Sequence, residues 1–122
     1  MEQKKSAISY TYILRCHDQT LYTGITKDIP KRMSEHYYHK RQGAKYTRSR
    51  QVKEIMMVWE SNSWSAAATL EHYIKTLSRN QKLALINSPE SVNNLSESKL
   101  KGNHYQPTLH YNGPIDQIAL DD

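Results

Sequence analysis

Residues 10–32 read YTYILRCHDQTLYTGITKDIPKR, and this stretch decides the fold. Tyr10 to Arg15 alternate and are rich in β-formers, which predicts a strand. His17-Asp18-Gln19-Thr20 is a polar turn, and Leu21 to Ile25 predicts a second short strand. So short a connection leaves no room for a crossover, so the pair is expected as an antiparallel hairpin. Gly24, inside the second strand, marks a point where the backbone turns or another group approaches closely. Thr26 or Asp28 can then cap a helix that carries Pro30 in its first turn, where a missing N–H does no harm.

Downstream, Ile29, Met33 and Tyr37 recur every four residues and predict the buried face of that helix. Arg32 and His36, also four apart, stack on a different face. Residues 40–53 lack periodicity and read as a basic loop. Ile55 to Glu60 predicts a third strand. Ser63 or Ser65 caps a second long helix with Ala67, Leu70, Ile74 and Leu77 facing inward, and Ser78 caps a short one ending near Ile86. The order strand, strand, helix, strand, helix, helix is an α+β pattern, a small and mostly antiparallel sheet packed against helices. One domain is expected over 8–87. Residues 88–122 are polar and acidic, and are expected as a flexible tail with a docked strand around Thr108 to Tyr111.

A chain of 122 residues holds one small domain. Its hydrophobic content is 37% with no Phe, so nine Tyr must share in a modest core. No stretch is apolar for long enough to cross a membrane, and the N-terminal MEQKKSAISY has no apolar signal region. The single Cys16 cannot form an internal disulfide, and a reducing, cytoplasmic location is expected. Net charge is +5, but residues 27–53 alone carry +7 and hold nine of the seventeen Lys and Arg, while residues 88–122 carry −3. A block like that is often just a solvated face. Here Tyr37, Tyr38 and Tyr46 are interleaved with the cations and can stack on bases, which favours nucleic acid as the partner. The cations expected to meet it are Lys31, Lys40, Arg41, Lys45, Arg48 and Arg50, with Tyr46 among them.

Cutting a phosphodiester takes a proton acceptor for water, positive charge on the phosphate and help for the leaving oxygen. Arg32 suits the second task, because its fork matches two phosphate oxygens, although an Arg on an amphipathic helix most often serves solubility alone. Glu71 could hold a divalent cation, since Mg²⁺ often takes only one or two carboxylates; the plainer reading is an ion pair with Lys75, four residues on. Tyr12 and Tyr22 lie on strands, where most tyrosines simply pack. A free tyrosine has a pKa of about 10, so either needs a nearby cation to act as a base at neutral pH. His36 could be a base, a phosphate donor or a capping partner. No zinc spacing, Ser-His-Asp set, phosphate loop or dinucleotide fingerprint is present.

These residues resemble the GIY-YIG nuclease superfamily, and most of all its small stand-alone, single-domain bacterial subgroup. The second signature triplet stands here as Tyr22-Thr23-Gly24, and the first is reduced to Tyr10-Thr11-Tyr12, which keeps only its last Tyr. Arg32 is similar in position to the family's helix arginine, His36 to a histidine of several branches and Glu71 to the metal-binding glutamate. Lys45-Tyr46-Thr47 and the run Ile74 to Arg79 are also similar to the subgroup. The resemblance covers roughly residues 8–87. It implies a three-stranded antiparallel sheet flanked by helices and Mg²⁺- or Mn²⁺-dependent hydrolysis of DNA; the sequence does not identify the pathway, and repair, recombination and defence are all open. It also implies that one signature tyrosine acts as base or positions water, the arginine stabilises the phosphate and the glutamate holds the metal. The first signature Gly is replaced by Tyr10, a lysine that some branches carry after the second triplet is absent, and the acidic tail has no counterpart. The alternative is a non-catalytic nucleic-acid-binding module using residues 27–53, or one that draws its substrate specificity from a protein partner.

Overall fold

The computed structural model describes residues 8–38, 51–95, 100 and 102–120. The expected hairpin is β1 (Ser9–Cys16) paired antiparallel with β2 (Leu21–Thr26), in a register that sets Tyr12 opposite Gly24 and Leu14 opposite Tyr22. Helix α1 (Ile29–Tyr37) follows, and the Asp28 carboxylate caps it by accepting from the Lys31 N–H at 3.1 Å. Strand β3 (Val52–Ser61) pairs with the other edge of β1. It starts earlier than the apolar run suggests, because Val52 and Glu54 continue the ladder against Cys16 and Arg15. Ser63 caps α2 (Trp64–Lys75), and Ser78 with Gln81 forms a capping box at α3 (Arg79–Asn87).

The α+β class is as expected, and β2-β1-β3 is the predicted three-stranded sheet. Two further strands of two residues each, β4 (Gln106–Pro107) and β5 (Gly113–Pro114), both pair with β3 and bring the sheet to five. They come from the segment expected to be a flexible tail. Its described residues dock instead. Val92, Leu100, Tyr105 and Ile115 are all buried. Asn93 accepts from the Tyr105 N–H at 2.9 Å and donates to its carbonyl at 2.8 Å, and the Tyr105 hydroxyl donates to Ala66 O at 2.8 Å. Its anchors are single residues separated by turns, so they leave no periodic signature to read. The strand expected near Thr108 falls at Gln106–Pro107, and Leu109–Tyr111 is a 3₁₀ turn. A last helix, α4 (Ile115–Leu120), lies beside α1.

Side chains alternate across the sheet. Ile13, Met57 and Trp59 face α2 and pack with Leu70 and Ile74, whereas Tyr12, Leu14, Cys16, Ile55 and Val58 face α1 and pack with Ile29, Met33 and Ile115. One expectation for α1 needs correction. Tyr37 is exposed, and the position that buries instead is His36, at 1%. The buried stripe of α1 is therefore Ile29, Met33 and His36, turned toward Tyr12 rather than continuing the four-residue row. Among the described residues no helix is long and apolar enough to cross a membrane.

Candidate active site

The site grows out of the Tyr12–Gly24 pair. A Cβ built on Gly24 would lie 2.5 Å from the Tyr12 hydroxyl oxygen and 2.7 Å from the carbon that bears it. Only glycine lets the Tyr12 ring lie flat across β2. That position brings the ring to His36 and Tyr22. The three ring centroids stand 5.9 Å apart for Tyr12 and His36, 6.4 Å for Tyr12 and Tyr22, and 5.8 Å for Tyr22 and His36.

The polar connections run through this aromatic cluster. The Tyr12 hydroxyl and His36 Nε2 share a hydrogen bond of 3.0 Å, and the Tyr12 hydroxyl also bonds Arg32. A guanidinium only donates, so the Tyr12 oxygen accepts from Arg32, and the direction of its bond with His36 Nε2 is set by the imidazole tautomer. Arg32 is held on its other side by Glu35, with Nη1 to Oε1 at 2.8 Å. Burial works against the Arg32 charge, but its bonds to Glu35 and Tyr12 outweigh it and keep the group cationic. Burial, reinforced by the Arg32 charge, pulls His36 down to about 3, so the imidazole is neutral at physiological pH. Burial pushes the Tyr12 hydroxyl well above the ordinary tyrosine range, while its bond to Arg32 pulls the other way.

Glu71 sits on α2, part-exposed and close enough for its charge to act on the Tyr12 hydroxyl. It also pairs with Lys75 at 3.1 Å. The ion pair and the approach to the tyrosine coexist. Tyr12, Tyr22, Arg32, His36 and Glu71, read from the sequence as candidates, are thus brought together. Lys31 is exposed on α1. Lys40, Arg41, Lys45, Tyr46, Arg48 and Arg50 lie outside the described residues. Glu35 was missed, although its place three residues after Arg32 was the available signal. Among the described residues there is no cluster of three or more His, Cys, Asp or Glu able to hold a metal. The donor set still suits a hard divalent cation, which binds through one or two carboxylates and completes its shell with water and substrate phosphate.

Sheet, flanking helices and the tyrosine–arginine–histidine cluster define a small α+β domain with a polar site on one face of its sheet. The GIY-YIG catalytic domain family matches residues 8–84, and the chain belongs to that family. Its relatives are small proteins that the chain spans almost end to end. A UPF0213 protein of Fusobacterium nucleatum is 41% identical over 96 residues, covering 75% of this chain and 94% of the relative. One from Syntrophus aciditrophicus is 46% identical over 85 residues, covering 69% and 97%. The solution NMR structure of a UPF0213 protein from Bacillus halodurans has 36% identity, covers 66% of this chain and 84% of its own, and superposes with a TM-score of 0.44. The family match ends at residue 84, so the buried anchors Val92, Leu100, Tyr105 and Ile115 fall beyond it.

Proposed function

We propose that this chain is a metal-dependent DNA endonuclease that hydrolyses phosphodiester bonds in DNA repair or recombination, in the cytoplasm. The observation that carries the proposal is the convergence of Tyr12, Tyr22, Arg32 and His36 on one face of the sheet, with Glu71 beside them. The cationic block over 27–53 supplies attraction to the backbone, with Lys31 on α1 at its near end.

The two tyrosines take different parts in this reading. Tyr12 is 1% exposed and its hydroxyl is already engaged by Arg32 and His36, so it positions the arginine and does not meet water. Tyr22 is half-buried, so its oxygen positions the attacking water and, as phenolate, would receive that water's proton. Arg32 clamps two phosphate oxygens and stabilises the charge that gathers on them. Glu71 would hold Mg²⁺ or Mn²⁺, which when bound neutralises phosphate charge and assists departure of the leaving oxygen. Neutral His36 shares a hydrogen bond with the Tyr12 hydroxyl and fixes that ring, which in turn keeps Arg32 aimed.

Labelled single-stranded, duplex, flapped and branched DNAs, incubated with Mg²⁺ or Mn²⁺, test the proposal. Tyr22→Phe is expected to slow cleavage roughly 10²- to 10⁴-fold with DNA affinity unchanged. A Tyr22→Phe protein that cuts at the wild-type rate would move the proton acceptor elsewhere. DNA binding with no cleavage under any condition would leave a nucleic-acid-binding module.

A further inference from the structure

The chain has two tryptophans and treats them in opposite ways. Trp59 is 0% exposed and donates its Nε1–H to Pro89 O at 3.0 Å. Trp64, the first residue of α2, is 44% exposed, and the Lys27 ammonium lies 5.6 Å from its ring centroid. An exposed indole face with an ammonium against it is the pairing that attracts a stacked base and its phosphate.

Its place on α2 supplies one. Residues at i, i+4 and i+7 share a stripe on a helix, so Trp64, Ala68 and Glu71 stand in a row, with about 10 Å of helix axis between the first and the last. Ala68 is small and leaves the row open between them. Alongside runs a shallow recess of about 430 Å³ lined by Ser65, Ala68, Thr69 and His72. Lys27 and Lys31 are both exposed nearby in sequence, at the start of the cationic block. A flat apolar face beside the Lys27 ammonium, on the same stripe as a carboxylate of the candidate site, matches the chemistry of a base joined to its phosphates.

Resting on the nuclease reading above, we propose that Trp64, with Lys27, is a stacking platform for an unpaired nucleobase of the strand being cut. The base takes the ring face and Lys27 passes from the ring to the adjoining phosphate. A base inside a closed duplex already has both faces stacked. The platform therefore selects single-stranded or flapped DNA over blunt duplex.

Tryptophan emission of the full chain tests this without cleavage. The probes are an oligo-dT of about ten nucleotides, a length on the scale of single-strand sites, and a blunt duplex of equal length, both in EDTA. Oligo-dT is expected to quench the exposed fraction of the emission and to shield it from acrylamide. Trp64→Phe should abolish that signal yet retain most of the affinity. Trp64→Ala should lose roughly 5- to 150-fold in affinity for oligo-dT and little for duplex. Oligo-dT that binds with emission unchanged and equal affinity for Trp64→Ala would overturn the platform; metal-dependent cutting in the same preparation would leave the nuclease reading standing. Equal quenching by blunt duplex would overturn the selectivity. A wild-type protein that neither binds nor cuts any DNA would remove both.

Discussion

Strand β1 sends Thr11 and Ile13 to one face of the sheet and Tyr12 and Leu14 to the other, and the two faces keep different company. On the α2 side, Ile13 packs among Trp59, Leu70 and Ile74, and the Thr11 hydroxyl finds the Ala67 carbonyl at 2.9 Å. That face is an apolar core with its polar needs met locally. On the α1 side, a buried tyrosine, a buried histidine, an arginine and a nearly buried Glu35 share the interior with Ile29 and Met33. Burying polar groups of that kind is costly unless each finds a partner. Their mutual bonding is what makes the arrangement tolerable, and it leaves Arg32 charged and aimed. One face stabilises the domain, and the other spends part of that stability on a preorganised site.

The sharpest way to break this contrast is a cavity on the α2 side. Ile13→Ala or Leu70→Ala should cost about 2–5 kcal/mol in urea unfolding, while the folded protein keeps its DNA cleavage rate. A rate loss in step with that destabilisation, measured on fully folded protein, would dissolve the division of labour. On the other face, Gly24→Ala forces the Tyr12 ring away from His36 and Arg32. It should cost about 1–3 kcal/mol and lower the cleavage rate as well. An intact rate would show that Tyr12 does not need its present position.

His36 gives the contrast a pH signature. Its folded pKa of about 3 lies below the ordinary 6.5, so between those values the unfolded chain binds a proton that the folded chain refuses. Its contribution to stability is complete above about pH 6.5 and declines as pH falls toward 3, at roughly 1 kcal/mol per unit. The wild type should therefore lose stability faster than His36→Gln across that window. Parallel curves would mean the imidazole charges in the folded state. The smallest effect belongs to Thr23, whose buried hydroxyl has no hydrogen-bond partner among the described residues and faces the α2 side opposite Ile13. Thr23→Val should be neutral or stabilising by up to about 1 kcal/mol. A clear loss of stability would reveal a partner for that hydroxyl.

Much of this was legible in the sequence, for physical reasons that also mark the limits. The hairpin, the caps at Asp28, Ser63 and Ser78, and the inward Ala67, Leu70 and Ile74 follow from period, turn chemistry and capping, all local properties. Gly24 stood out as a point of close approach, but that Tyr12 is what approaches depends on cross-strand register. The four-residue rule misplaced Tyr37, because the 3.6-residue repeat rotates the buried stripe of α1 onto His36 by its second turn. The C-terminal docking was illegible because Val92, Leu100, Tyr105 and Ile115 are isolated anchors whose partners are distant in sequence. Glu35 was hidden for a different reason: its importance comes from Arg32, which could not be oriented before the fold was known.

Metal-dependent cleavage by the wild type beside Glu71→Gln, on flapped and single-stranded DNA with Mg²⁺ or EDTA, tests the central claim most directly. The account predicts cutting by the wild type with metal, none in EDTA, and loss of at least about 10²-fold in Glu71→Gln with DNA affinity retained. Equal cutting by Glu71→Gln, or cutting by the wild type that EDTA leaves unchanged, would contradict it.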